Sequence, residues 1–133
     1  MPGSLAIRAG GRELVAQDML QASVAAGRSG PVITLSGETD LVSVAELSAL
    51  ISAQLAGGTV ELTIDASGLR FADSASIRAL MLAARTLRER GGCLVLLHPQ
   101  RPVAKMLTLM GADQMFTVRG EAPGGPEAEP STR

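Results

Sequence analysis

The sequence predicts an α/β (α+β) fold in which one layer of mixed β-sheet carries helices packed as crossover connections. Three observations predict it. Residues 19–36 read as a hairpin, the hydrophobic period then switches repeatedly between helix and strand, and paired glycines punctuate the switches at Gly57-Gly58 and Gly91-Gly92.

The elements follow in order. The opening MPGSLAIRAGGREL is glycine-rich and weakly patterned, so residues 1–18 read as a loose arm or a short edge strand. Small and apolar residues alternate from Met19 to Ala26, Gly27-Arg-Ser-Gly-Pro31 supplies a turn, and Val32 to Ser36 supplies the return strand. Gly37-Glu-Thr-Asp40 reads as a turn placing acidic charge before a helix. Val44, Leu47, Leu50, Ile51 and Leu55 then fall at helical spacing, with Ser43 and Glu46 expected to form a capping box. Val60 to Ile64 alternates as a strand expected to end at Asp65-Ala-Ser-Gly68.

A second helix is expected from Ser74 to Arg90, burying Ile77, Leu80, Met81, Ala84 and Leu87 and turning Arg78, Arg85, Arg88 and Glu89 outward. Cys93 to Leu97 is a continuous apolar run, which predicts a strand covered on both faces. A third helix carries Val103, Met106, Leu107 and Met110 and closes at Gly111, before a short strand from Met115 to Val118. The last residues, 119–133, are rich in Pro, Gly and Glu and read as a disordered tail.

Composition narrows the function. A chain of 133 residues, 46% hydrophobic, buries one ordinary core. Its net charge of −1, with two Phe and no Tyr or Trp, argues against nucleic acid, which needs basic surface and aromatic stacking platforms. Cys93 and His98 cannot assemble a metal-ligand set in one chain, and no cofactor is called for. No export signal or membrane-spanning apolar run is present, so a soluble cytoplasmic protein with no direct membrane insertion is expected. No nucleophile turn accompanies His98, Cys93 has no basic sequence neighbour to activate it, and neither Gly-Gly pair has the Lys and Ser or Thr of a phosphate loop. A non-enzymatic protein is therefore expected.

One stretch breaks the apolar pattern. In Phe71-Ala-Asp-Ser-Ala-Ser-Ile-Arg78 the polar residues Asp73, Ser74 and Ser76 stand at the start of the second helix. Asp73 suits the N-cap, where its carboxylate accepts from amides lacking intrahelical partners and faces the positive end of the dipole. Such a helix start also accommodates phosphate, which makes a neighbouring serine a candidate switch. If this bend and Gly37-Glu-Thr-Asp40 emerge on one edge of the sheet, they form a surface for a partner.

The stretches LSGETDLVSVAEL (35–47), LTIDASGLRFADSASIRAL (62–80) and GGCLVLLHPQRPVAKMLTLMGADQMFTV (91–118) together resemble the STAS domain of bacterial anti-sigma factor antagonists, over residues 19–118. The resemblance implies a STAS-like sheet that presents an acidic turn and a DSSG-like turn to an anti-sigma factor, a serine kinase of the GHKL type. In that family the unphosphorylated antagonist captures the kinase, and phosphorylation of the second serine of the turn breaks the complex.

The implied partner-binding residues are Glu38, Thr39, Asp40, Asp73, Ser74, Ala75 and Ser76. Asp40 matches the aspartate of the acidic turn, Asp73 the motif aspartate and Ser74 the first serine. Ala75 stands where the phosphorylated serine belongs, and Ser76 replaces the usual glycine. Three outcomes stay open: Ser74 or Ser76 accepts phosphate instead, the partner is bound without regulation, or the domain serves a membrane transporter or sensory complex as an accessory subunit.

Overall fold

A computed structural model describes residues 8–9, 12–13 and 19–120. The expected loose arm at 1–18 and disordered tail at 119–133 lie largely outside these residues. Two strand pieces, β1 (Arg8–Ala9) and β2 (Arg12–Glu13), pair antiparallel in a small sheet of their own.

The main sheet has five strands in sequential order: β3 (Gln21–Ala26), β4 (Pro31–Glu38), β5 (Glu61–Phe71), β6 (Cys93–Leu97) and β7 (Thr117–Arg119). β3 and β4 form the predicted antiparallel hairpin, and β4 to β7 run parallel. Helices α1 (Leu41–Ala56), α2 (Ser74–Glu89) and α3 (Arg101–Leu109) make the three crossovers. Every crossover advances the sheet by one strand in the same direction, so right-handed connections bring all three helices onto one face.

The core lies between these layers. Ile33, Leu35, Leu62, Ile64, Leu94 and Leu96 project from the sheet against Leu47 and Ile51 of α1, Ile77, Leu80 and Leu87 of α2, and Val103 and Leu107 of α3. The successive residues Leu94, Val95 and Leu96 are all buried, which fits the double-sided cover expected for β6. Among the described residues, no helix is long and apolar enough to cross a membrane.

β5 departs from expectation. The strand does not end at Asp65 but continues through Gly68 to Phe71, because two register shifts absorb the irregular residues. Thr34 pairs with Asp65 but Ser36 with Gly68, and Gly37 pairs with Leu69 but Glu38 with Phe71, so β5 carries one extra residue at each step. Core-facing positions accordingly run Leu62, Ile64, Ala66, then Leu69 and Ala72. Each bulge restores to the core a residue that strict alternation would expose. At the first bulge the Asp65 carboxylate accepts bonds from the Ser67 amide (3.0 Å) and hydroxyl (2.8 Å), while Gln100 donates to the Ser67 carbonyl (2.6 Å). The turn chemistry of DASG is real, but it bends a strand instead of ending one.

The bend before α1 is also shorter than expected. Gly37 and Glu38 belong to β4, leaving Thr39 and Asp40 as the connection. Gly37 has φ +91°, and a side chain there would run into the Met19 carbonyl. Gly37→Ala is therefore expected to cost about 1–3 kcal/mol, the typical penalty for a forced backbone conformation, read as a lower midpoint in denaturant unfolding.

Candidate functional site

The ends of β4 and β5 deliver two helix starts side by side. Asp40 is the N-cap of α1: its carboxylate accepts from the Ser43 amide at 2.8 Å, and its own amide donates to the Ser43 hydroxyl at 2.8 Å. The capping box is thus Asp40 with Ser43, in place of the expected Ser43 with Glu46. Asp reaches back to the third amide as well as Ser does, so the helix starts earlier than the apolar spacing suggested. Asp73 is the N-cap of α2, as expected, accepting from the Ser76 amide at 3.0 Å.

Thr39 joins the two. Its amide donates to the Phe71 carbonyl (3.1 Å), its hydroxyl donates to the Asp73 carboxylate (3.0 Å), and the same hydroxyl accepts from the Asp73 amide (2.8 Å). Thr39 is buried and Asp73 half-buried, so this reciprocal pair is partly shielded from competing water. The last residue of β5 and the caps of both helices are thereby held in one cluster.

Burial pushes the Asp73 pKa up, but the neighbouring Ser76 hydroxyl and the bonds accepted from the Ser76 amide and the Thr39 hydroxyl together outweigh this and hold it below the ordinary 3.8. The Ser76 hydroxyl lies near enough to favour the charged carboxylate, yet it falls outside hydrogen-bond geometry and has no partner.

The remaining site residues are placed unequally. Glu38 and Ser74 are exposed, Ala75 is half-buried and Ser76 is only 1% exposed. Glu38 makes a loose ion pair with Arg70 at 3.7 Å. Sequence reasoning missed the apolar members of this end: Leu41 is 81% exposed, Val42 73%, and Phe71 and Leu82 are also open to solvent. The available signal was phase, since Leu41 and Val42 stand outside the buried stripe of Ser43, Leu47 and Ile51. Between α1 and α2 runs a groove of about 380 Å³, with Val44, Ile51, Ala75, Arg78 and Leu82 in its walls.

Both aspartates are engaged in capping, and the exposed surroundings combine the apolar Leu41, Val42 and Phe71 with the charged Glu38, Arg70 and Arg78. Residues 22–118 match the family described as Mlab, STAS domain.

The chain belongs to the STAS family. It is similar in structure to an anti-sigma factor antagonist from Mycobacterium paratuberculosis, with a TM-score of 0.69 and 26% identity over 80% of this chain and 90% of that one. It is also similar to the anti-sigma factor antagonist SpoIIAA in its unphosphorylated form, with a TM-score of 0.64 and 25% identity over 74% of this chain and 86% of that one. The phosphorylated form of the Bacillus cell fate determinant SpoIIAA gives a TM-score of 0.59 and 25% identity over 74% and 89% of the respective chains. No curated protein matches the chain. The fold is that of the STAS anti-sigma factor antagonists.

The lowered Asp73 pKa carries a sign. A carboxylate more acidic in the folded state stabilises the fold above its unfolded pKa, and that contribution is lost as pH falls through the folded value. Acid titration of stability should therefore show the wild type losing more than Asp73→Asn below about pH 4, near the unfolded carboxylate pKa. At neutral pH the Asn variant should be weaker by about 0.3–1 kcal/mol, having lost its charge at the helix start. Equal acid sensitivity of the two proteins would contradict the assignment.

Proposed function

We propose that this STAS domain is a cytoplasmic, non-enzymatic binding module that sequesters an anti-sigma factor, a serine kinase of the GHKL type. Docking runs through the Thr39–Asp40 bend and the start of α2, and the partner-binding set is Glu38, Thr39, Asp40, Asp73, Ser74, Ala75 and Ser76. The observation carrying this reading is the Thr39–Asp73 bond pair, which presents the two bends as one unit. Within the set, Thr39 and Ser76 act from below the surface, while Glu38, Asp40 and Ser74 meet the partner.

Ala75 stands where the resemblance puts the phosphorylated serine, so binding proceeds with weak or absent phosphorylation. Ser74 is the accessible substitute. A phosphate there sits at the first residue of α2, where free amides favour it and the Asp73 carboxylate opposes it. The buried Ser76 hydroxyl is a poor acceptor by comparison.

The test is incubation with a candidate anti-sigma kinase and ATP, read by intact mass and by binding. The wild type should bind with little or no mass shift, and Ala75→Ser should gain one phosphate and release the kinase. Failure of the wild type to bind any such kinase would reject the proposal. Asp40→Asn keeps a good N-cap but removes the charge, so it should fold normally and bind about tenfold more weakly, near 1.4 kcal/mol.

The missing hydroxyl at Ala75 also favours a second reading, an accessory subunit of a membrane transporter or sensory complex. Such a role needs no phosphoacceptor there. Co-purification with a transporter ATPase, in place of a kinase, would select it.

A further inference from the structure

The two helices of the candidate site open on the same four-residue pattern, Asp-x-x-Ser, as Asp40-Leu-Val-Ser43 and Asp73-Ser-Ala-Ser76. Local sequence therefore equips both for a capping box, in which the aspartate accepts from the third amide and the serine hydroxyl accepts from the aspartate amide. At α1 the box is complete: Asp40 accepts from the Ser43 amide, and its own amide donates to the Ser43 hydroxyl at 2.8 Å. At α2 only half of it forms. Asp73 accepts from the Ser76 amide, but its own amide donates to the Thr39 hydroxyl, which comes from 34 positions earlier in the chain.

Ser76 is left over by this exchange. Its hydroxyl is buried without a hydrogen-bond partner, and the residue is only 1% exposed. A hydroxyl buried unpaired is unfavourable, and an alanine at this position avoids that cost. The same hydroxyl lies close enough to Asp73 to help keep its carboxylate charged. Ser43 shows that a serine at the third position reaches the cap amide while its helix stays regular.

We propose that the α2 cap is a two-state device, in which Ser76 is the reserve acceptor for the Asp73 amide. In the clasped state Thr39 holds Asp73, as in this structure. In the released state the Asp73 amide passes to the Ser76 hydroxyl, α2 gains the box that α1 already has, and the Thr39–Asp40 bend comes free of α2.

The clasped state is favoured because Thr39 makes two bonds to Asp73, one to its carboxylate and one from its amide, where Ser76 offers the amide one. What Ser76 changes is the cost of release. Without it, the half-buried Asp73 would lose the acceptor for its amide whenever Thr39 left. Because the clasp fixes how the two bends sit together, any protein that contacts both distinguishes the two states and shifts their balance. The device is a property of the chain itself and holds whichever partner the site takes.

A double-mutant cycle on the full chain tests this, read by amide hydrogen exchange and denaturant unfolding. Thr39→Val removes the hydroxyl, keeps the side-chain shape and so forces release. In that variant the Asp73 amide should stay protected, now on Ser76, and adding Ser76→Ala should speed its exchange at least tenfold. The unfolding equilibrium should show the same coupling, with the double variant about tenfold (about 1.4 kcal/mol) worse than the two single effects combined. Ser76→Ala alone should not weaken the fold, and Thr39→Ser, which keeps a hydroxyl, should restore additivity. Single effects that combine to within about twofold, or an Asp73 amide that exchanges freely in Thr39→Val, would overturn the proposal. The exchange measurement on Thr39→Val decides the matter even where the double variant does not fold.

Discussion

The hydrogen-bond pair between the Thr39 hydroxyl and Asp73 is the contact on which the functional end depends. Two helix starts each leave amides without partners, and each needs an oxygen from the residue ahead of it. Asp40 and Asp73 supply those oxygens, but capping alone would leave two independent ends. The Thr39 hydroxyl donates a hydrogen bond to the Asp73 carboxylate and accepts one from the Asp73 amide, so the second cap is built partly from the connection that leads into the first helix. Thr39 is buried and the bonds around it are partly so, which raises the cost of leaving its groups unpaired.

Reaching that contact requires β4 and β5 to end level. β5 must deliver Phe71 beside Thr39, and it does so through two bulges that add residues without losing the core phase of Leu69 and Ala72. Gly37 permits β4 to pass close to the Met19 backbone at the same level. The candidate site is thus set by strand irregularities as much as by the loops themselves.

With both aspartates committed to amides, the end of the molecule is less acidic in effect than its residue list suggests. Leu41, Val42 and Phe71 supply open apolar area beside Asp40 and Glu38, and Ala75 and Leu82 continue that character along the groove between α1 and α2. An alanine at this point is consistent with surface built for contact, where desolvating a methyl costs nothing and desolvating a hydroxyl does.

The sequence alone determined the layer of sheet and helices, the hairpin, the three crossover helices, Asp73 as a cap, and the family. The structural elements depend on local periodicity, glycine punctuation and side-chain reach over three residues, all written in adjacent positions, while the family was legible as a resemblance of residues 35–47, 62–80 and 91–118. It misplaced the start of α1 at Ser43 and the end of β5 at Gly68, because a bulge and a turn use the same residues and differ only in whether a neighbouring strand continues alongside. Tertiary structure decided that Thr39, 34 positions before Asp73, bonds to it, and that Ser76 is buried while Ser74 is not. Those outcomes follow from which strands become neighbours, and no local pattern encodes the distance between residues so far apart in the chain.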